Sequence, residues 1–195
     1  MKHARTFVIW NIREGMTRPG QWYLDRTLGR LFYWPLPEEP LETLRVIAPT
    51  RFSILRISGT ADQTVQDVIL RNLRFSSTNT PMKCGGFGAS AFEGAVEAVH
   101  TQGLGIDQVS LQGVGGWGVR ILDSADARCE QCEIVETGAG GIRMTGSRWR
   151  VRDTLFFKPG RTYPSGIALF GKGHECRIEH NDCYHTPYSA IAAGG

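Results

Sequence analysis

The clearest pattern in the second half of the chain is a recurring pair in which a small residue precedes a β-branched one. From each pair onward, apolar and polar positions alternate, as in Val119-Arg120-Ile121. A two-residue period is the signature of a β-strand with one buried face. The β-branched residue recurs at steps of 23, 25 and 24 residues. The positions are Val119, Ile142, Ile167 and Ile191.

A second short alternation precedes each pair by eight to twelve residues. A helical repeat would need about 33 to 47 residues and an apolar period of 3.6. A coil of about 23 residues with short strands is instead the unit of a parallel β-solenoid, whose stacked coils bury a shared core. The sequence therefore predicts an all-β fold, a single-stranded right-handed parallel β-helix of about five coils. The second alternations are Val109–Leu111, Cys132–Ile134, Leu155–Phe157 and Asn181–Cys183.

Segments further upstream extend the repeat and set the predicted domain boundaries. Val96 lies one period before Val119, and residues 54–57 show the alternation of an earlier coil. The stretch between residues 54–57 and Val96 contains glycines and a proline that predict an inserted loop over residues 76–94. Loops of that length are often functional. We therefore predict β-helix coils over residues 51–195, interrupted by this loop.

The first 50 residues differ from the repeat and predict a separate N-terminal region. Residues 22–25 and 31–34 are rich in aromatic side chains and flank a glycine turn, which is typical of a β-hairpin. Four prolines between positions 35 and 49 make the following connection extended and stiff. We expect residues 1–50 to form a cap or accessory hairpin, whose rings either cover the open core or offer a surface on which sugars stack.

Composition and charge narrow the possible partners. Glycine accounts for 24 of the 195 residues, and it falls as punctuation between short apolar runs. The net charge is +3 with acids and bases interspersed, and no basic run indicates a nucleic-acid partner. No apolar stretch approaches the roughly 18 residues that span a bilayer, and the N-terminal apolar run is too short for a signal peptide. We expect neither a nucleic-acid nor a membrane partner.

Five cysteines, an odd number, argue against a disulfide framework. Cys129 and Cys132 form a lone CxxC motif without a second pair at zinc-site spacing. This pattern favours thiols packed in the core over a metal or redox site. We therefore predict no metal site and no cofactor.

Several segments resemble large bacterial right-handed β-helix proteins of the pectin-lyase-like kind, including glycoside hydrolase family 141. The resemblance is carried by residues 19–25, 31–35, 137–142 and 185–191. It implies a carbohydrate-active protein, with fucosidase and xylanase as the activities known in that family, although β-helices also host lyases, epimerases and adhesins. It also implies a longer, secreted or periplasmic protein, of which this chain is a fragment truncated within a coil.

The resemblance implies that substrate lies along one sheet, across successive coils. When that sheet is assigned to the strands at the recurring pairs, their outward residues form a ladder with rungs about 4.8 Å apart. Arg120 and Arg143 are then stacked like charges, which favours either a salt bridge to Glu97 or the binding of an anionic sugar. The predicted ladder is Arg56, Glu97, Arg120, Arg143 and Ala168.

The turns before these strands carry the remaining candidates. Trp117, Tyr163 and Tyr188 offer aromatic rings to sugar faces. His185 is a weak candidate for acid–base catalysis, and Glu136 is a weak candidate for a catalytic carboxylate. Packing is the alternative role for each of them.

A glycosidase needs two carboxylates about 5–5.5 or 6.5–9.5 Å apart. The sequence places no such pair of acidic residues at matching outward positions of adjacent coils. The leading hypothesis is a glycan-binding portion of a glycoside hydrolase whose catalytic carboxylates lie outside this chain, with a poly- or oligosaccharide as partner. A non-enzymatic structural or adhesin-type β-helix is the alternative. A uronate polysaccharide lyase or epimerase is a second alternative, which the paired arginines favour.

Overall fold

The structure, a computed structural model, describes residues 9–194. The chain divides into two compact units, with the boundary between Ile47 and Ala48. We call them the hairpin unit, described from residue 9, and the solenoid unit. No helix in the described range is both long enough and apolar enough to cross a membrane.

The hairpin unit is built on two antiparallel strands joined by a glycine turn. Gly29 has a φ of +61° in this turn, and the Asp25 carboxylate accepts the amides of two turn residues. The rings of Tyr23 and Phe32 stack across the strands with centroids 6.1 Å apart. The predicted β-hairpin is thereby confirmed. Its elements are the 3-10 helix Arg13–Gly15, β1 Trp22–Asp25, β2 Arg30–Tyr33 and the 3-10 helix Leu41–Thr43.

The solenoid unit consists of short strands, each paired in parallel with the equivalent strand one turn along the chain. Sheet 1 contains β3 Leu55–Ser58, β4 Val65–Gln66, β7 Gly94–Val99, β8 Thr101–Gln102, β11 Trp117–Ala125, β14 Ile142–Ser147, β17 Leu169–His174 and β20 Ile191–Gly194. Sheet 2 contains β5 Ile69–Arg71, β9 Gly105–Asp107, β12 Arg128–Glu130, β15 Arg150–Arg152 and β18 Arg177–Glu179. Sheet 3 contains β6 Arg74–Ser76, β10 Ser110–Gln112, β13 Glu133–Val135, β16 Leu155–Phe157 and β19 Asp182–Tyr184.

The number of turns is slightly smaller than predicted. The five strands of sheet 2 are separated by four passages of the chain, so the solenoid makes about four turns. The structure thus confirms an all-β parallel solenoid, with a coil count slightly below the predicted five.

Each corner of the solenoid contains a residue in the left-handed backbone region directly after or near the end of a strand. At the corner that follows sheet 3, φ lies between 52° and 64° on every turn. One left-handed residue interrupts the extended backbone and directs the chain into the next turn. This corner stacks equivalent side chains on successive turns, and we call it the corner column. Its members are Ser77, Gly113, Glu136, Lys158 and His185.

Inward-pointing side chains from the three sheets form one continuous core. Leu111, Ile134 and Phe156 stack in register on successive strands of sheet 3 and are at most 1% exposed. Burying a side chain of this size contributes about 1.5–3 kcal/mol. Cys129 and Cys132 lie in the same core as free thiols, as the structural interpretation of the CxxC motif predicted. Burial raises the pKa of Cys132 to about 11.

The register of sheet 1 corrects one predicted strand position. Ile142 pairs with Leu169 and not with Ile167. The turn before β17 runs over residues 158–168 and is longer than the equivalent turn over residues 136–141. Ile167 therefore remains in the turn, although Gly166 precedes it just as Gly141 precedes Ile142, the first residue of β14.

Candidate functional site

The outward ladder of sheet 1 is present, with one changed rung. Its first four positions pair in the predicted register across adjacent strands. The fifth rung is Phe170 and not Ala168, because the longer turn delays the start of β17. The observed ladder is Arg56, Glu97, Arg120, Arg143 and Phe170.

The loop between β6 and β7 lies across this ladder, and we call residues 77–93 the strap. It contains a 3-10 helix at Phe87–Ala89. Its apolar side chains pack against residues that precede or begin the sheet 1 strands. Together these residues form a second buried cluster outside the solenoid core. The strap therefore spans several turns of the solenoid along its axis. The buried members of this cluster are Ala89, Phe92, Trp117, Ala139 and Ile167.

Two of the aromatic side chains predicted to bind substrate hold the strap. Trp117 is 1% exposed, and its Nε1 donates to the Ala89 carbonyl at 2.9 Å. This burial corrects the expectation that Trp117 presents its ring in an open turn. Tyr163 packs on Phe92 with ring centroids 4.3 Å apart, and its hydroxyl donates to the Pro81 carbonyl. Burial raises the pKa of Tyr163.

Glu97 points outward from sheet 1 but is only 5% exposed, because the strap covers it. Its Oε1 lies 3.2 Å from Nη1 of Arg120, and its Oε2 accepts the Gly94 amide at 2.8 Å. Burial raises the pKa of Glu97, and the Gly94 amide and the Arg120 guanidinium offset only part of that rise. Arg120 also donates to the Phe92 carbonyl at 3.3 Å, so this ion pair connects the sheet to the strap.

Arg143 is anchored to the strap without a carboxylate. Its Nη1 donates to the Ser90 carbonyl at 2.5 Å, and its guanidinium carbon lies 5.2 Å from the centroid of the Phe170 ring. Burial, followed by the neighbouring Arg120 guanidinium, lowers the pKa of Arg143. Among residues 9–194, the buried Nε atoms of Arg120 and Arg143 have no hydrogen-bond partner.

Sequence reasoning missed Glu93, because it lies on the strap and not at a strand position. Its carboxylate lies 3.1 Å from Nη2 of Arg56 and accepts the Ser53 hydroxyl at 3.3 Å. The carboxylate of Glu93 also contributes to the raised pKa of Glu97, so the two carboxylates lie close enough to repel each other. We call this set the strap cluster. It consists of Arg56, Glu93, Glu97, Arg120 and Arg143.

Two aromatic contacts lie on the last turns of the solenoid, and one of them includes a ring of the strap. Tyr188 is 51% exposed and meets the ring of Phe87, which is 71% exposed, edge-on at 6.4 Å. Tyr184 is the outward neighbour of Phe157 in sheet 3, and His185 meets the Phe157 ring edge-on at 5.3 Å. We call this surface the aromatic patch. It consists of Phe87, Phe157, Tyr184, His185 and Tyr188.

The two weak catalytic candidates, His185 and Glu136, both lie in the corner column. Lys158 stands between them, with its Nζ 3.5 Å from Glu136 Oε1 and 4.9 Å from the Phe157 ring centroid. His185 and Glu136 are two turns apart, roughly 9.6 Å at the usual strand spacing. They are therefore too distant to exchange a proton directly.

The raised pKa of Glu97 predicts a specific pH dependence of stability. The folded protein holds the Glu97 proton more tightly than the unfolded chain does, so this contribution to stability is complete below the unfolded pKa. It is lost as the pH rises through the folded pKa. We expect the urea midpoint of the wild type to fall relative to that of Glu97→Gln between pH 4 and pH 7. The exposed acid Glu175 supplies the control variant Glu175→Gln, which keeps the wild-type slope. Identical slopes for the wild type and Glu97→Gln would contradict the assigned burial.

No group of three or more histidine, cysteine, aspartate and glutamate side chains in the described range is arranged to hold a metal ion. Comparison with known proteins gives no relative: no family model, no curated protein and no solved structure matches the chain significantly. The parallel β-solenoid therefore rests on the strand pairing itself, and any assignment to a particular β-helix family is a proposal.

Proposed function

We propose that this chain is part of a carbohydrate-active β-helix protein and that its aromatic patch binds glycan. The single observation that carries the proposal is the exposed ring pair of Phe87 and Tyr188, which meet edge-on with centroids 6.4 Å apart. Large aromatic side chains seldom remain half-exposed in a group unless they contact a partner. Their faces match the apolar CH faces of sugar rings.

Polar groups beside the rings supply the hydrogen bonds that a sugar needs. Glu136 and Lys158 are each a little over a third exposed, and they present an acceptor and a donor beside Phe157. His185 adds a ring nitrogen on the next turn. An apolar floor with a few polar groups at its edge is the usual composition of a small-ligand site. This arrangement supports binding without requiring catalysis by the same residues.

The finer assignment follows from the sequence resemblance. We propose that the protein is pectin-lyase-like, similar to bacterial glycoside hydrolases of family 141, and secreted or periplasmic in its full-length form. Its catalytic carboxylates are proposed to lie outside this chain. The parallel solenoid supports the proposal at the level of fold, and the residues of the resemblance support it at the level of family.

A panel of neutral and acidic oligosaccharides, titrated against the whole chain by calorimetry, tests the proposal. We expect at least one glycan to bind and Tyr188→Ala to weaken that binding about tenfold, which corresponds to about 1.4 kcal/mol. The matched control is Trp22→Ala in the hairpin unit, where the tryptophan is 58% exposed. This control is expected to retain wild-type affinity.

Three outcomes would overturn the proposal. Absence of binding across the panel would favour the structural or adhesin-type β-helix. Loss of binding in Trp22→Ala but not in Tyr188→Ala would move the site to the hairpin unit. Release of unsaturated uronate products from an acidic polysaccharide would favour the lyase alternative over a site that only binds.

A further inference from the structure

A cavity of about 190 Å³ lies where both ends of the strap meet the solenoid. Asn79 and Glu93, near the two ends of the strap, approach the glycines of the turn before β11. A Cβ at Gly116 would lie 2.3 Å from the Glu93 carbonyl oxygen, so the close approach requires a glycine. We call this cavity the strap pocket. It is lined by the side chains of Phe52, Asn79, Pro81, Met82, Lys83 and Glu93.

The polar side chains of the strap pocket keep hydrogen-bonding capacity that the protein itself does not use. Lys83 is exposed and makes no ion pair among residues 9–194. Oε2 of Glu93 lies 3.1 Å from Nη2 of Arg56, and within the described part of the chain Oε1 remains a free acceptor. Asn79 uses Oδ1 to accept the next amide of the chain at 2.9 Å, and its Nδ2 remains a donor. The pocket therefore offers a ligand an ammonium donor, an amide donor and a carboxylate acceptor.

Opposite charges in one small cavity favour a neutral ligand. The carboxylate of Glu93 repels an anion, whereas the Lys83 ammonium and the nearby Arg56 guanidinium repel a cation. A hydroxyl group suits both signs, because it donates to a carboxylate and accepts from an ammonium. The Phe52 ring, 40% exposed, and Met82, 68% exposed, add apolar surface of the kind that packs against the CH face of a sugar.

We infer that the strap pocket binds a single neutral sugar ring, the end residue of the glycan that the aromatic patch holds. This inference rests on the proposed function and deepens it, because it names the charge class of the terminal sugar. The volume of the pocket equals that of about six water molecules at roughly 30 Å³ each. One hexose ring with its hydroxyls is of comparable size. A cavity of this size takes one ring, which in a linear glycan is an end residue.

The strap pocket and the aromatic patch lie along the same strap, three strands of sheet 1 apart. Gly116 at the pocket precedes β11, and Tyr188 at the patch precedes β20. Three steps at the usual strand spacing separate these two strands by roughly 14 Å. Along the strap, Lys83 and Phe87 are four residues apart, which spans at most about 14 Å between Cα atoms. A single sugar ring therefore contacts only one of the two places, whereas a short oligosaccharide reaches both.

The test titrates a panel of neutral monosaccharides into the whole chain and follows the backbone amides by NMR. We expect at least one monosaccharide to shift the Lys83 and Gly116 amides and to leave the Tyr188 amide unchanged. Lys83→Met keeps the apolar stem but loses the ammonium, and it is expected to weaken this binding about tenfold. The matched control is Lys172→Met in β17, an exposed lysine without an ion pair among residues 9–194, which keeps the wild-type affinity. Tyr188→Ala is expected to weaken the binding of an oligosaccharide but not of the monosaccharide.

The outcomes separate this inference from the proposed function. If an oligosaccharide binds but no monosaccharide does, or if Lys83→Met keeps the wild-type affinity, the pocket assignment is overturned while glycan binding stands. If the uronic acid or the amino sugar corresponding to the bound monosaccharide binds as tightly as the neutral form, the assigned charge class is overturned. If neither the monosaccharides nor the wider oligosaccharide panel binds, the proposed function itself is overturned. Circular dichroism of each variant confirms that the solenoid is folded.

Discussion

Replacing Phe156 with alanine is expected to lower the free energy of unfolding by about 3–5 kcal/mol, the usual loss for a buried aromatic side chain. Phe156 is 0% exposed and stacks between the inward residues of adjacent turns. The next residue, Phe157, points outward and pairs its ring with His185. Phe157→Ala is therefore expected to cost only about 1 kcal/mol.

Urea denaturation of the two single variants measures the free energy of unfolding that each substitution removes. Both variants lose the same side chain, a phenylalanine, from adjacent positions. The alternation of a β-strand predicts a large loss for one position and a small loss for the other. Equal losses would contradict the assignment of β16 to a strand with one buried face.

Replacing Gly146 with alanine is expected to lower the free energy of unfolding by about 3 kcal/mol. A Cβ atom at this position would lie 1.9 Å from the Ser124 carbonyl oxygen on the preceding turn, and φ is +127°. The colliding atom belongs to the backbone, so no side-chain rotation relieves the contact. Gly173 repeats the close approach one turn later, with its own Cβ position 1.8 Å from the Gly146 oxygen.

A glycine in open space provides the control for this prediction. Gly113 occupies the corner column, where a Cβ would meet nothing within 4 Å. Glu136, Lys158 and His185 adopt the same backbone conformation at the equivalent corners of other turns. Asparagine tolerates the left-handed region, so Gly113→Asn is expected to stay within about 1 kcal/mol of the wild type. A mild effect of Gly146→Ala would show that the turns are not stacked as closely as described.

The fold was predictable because its main signal is local. Alternation of apolar and polar residues identifies each strand, and the step between Val119 and Ile142 gives the length of a turn. The same signal misplaced Ile167, since a glycine followed by isoleucine also occurs inside the longer turn. The longer turn leaves Ile167 in the cluster formed with the strap, whereas Leu169 begins the strand and joins the solenoid core.

The site was less predictable because it depends on contacts between distant parts of the chain. The sequence predicted a loop over residues 76–94, but not that it would cross the outward ladder and bury Glu97. Glu93 and Phe87 lie on that loop, outside any repeat position. The outward pair Phe157 and Tyr184 had a detectable signal, since both follow an inward residue in equivalent strands of sheet 3.

A crystal structure of the chain with its tightest-binding oligosaccharide tests the central claim most directly. The claim is that the aromatic patch is the glycan-binding surface. The predicted result is a sugar ring stacked on Tyr184 or Tyr188, with the Phe87 ring of the strap at its edge. A sugar bound on the hairpin unit at Trp22, or an aromatic patch without sugar at saturating concentration, would contradict it.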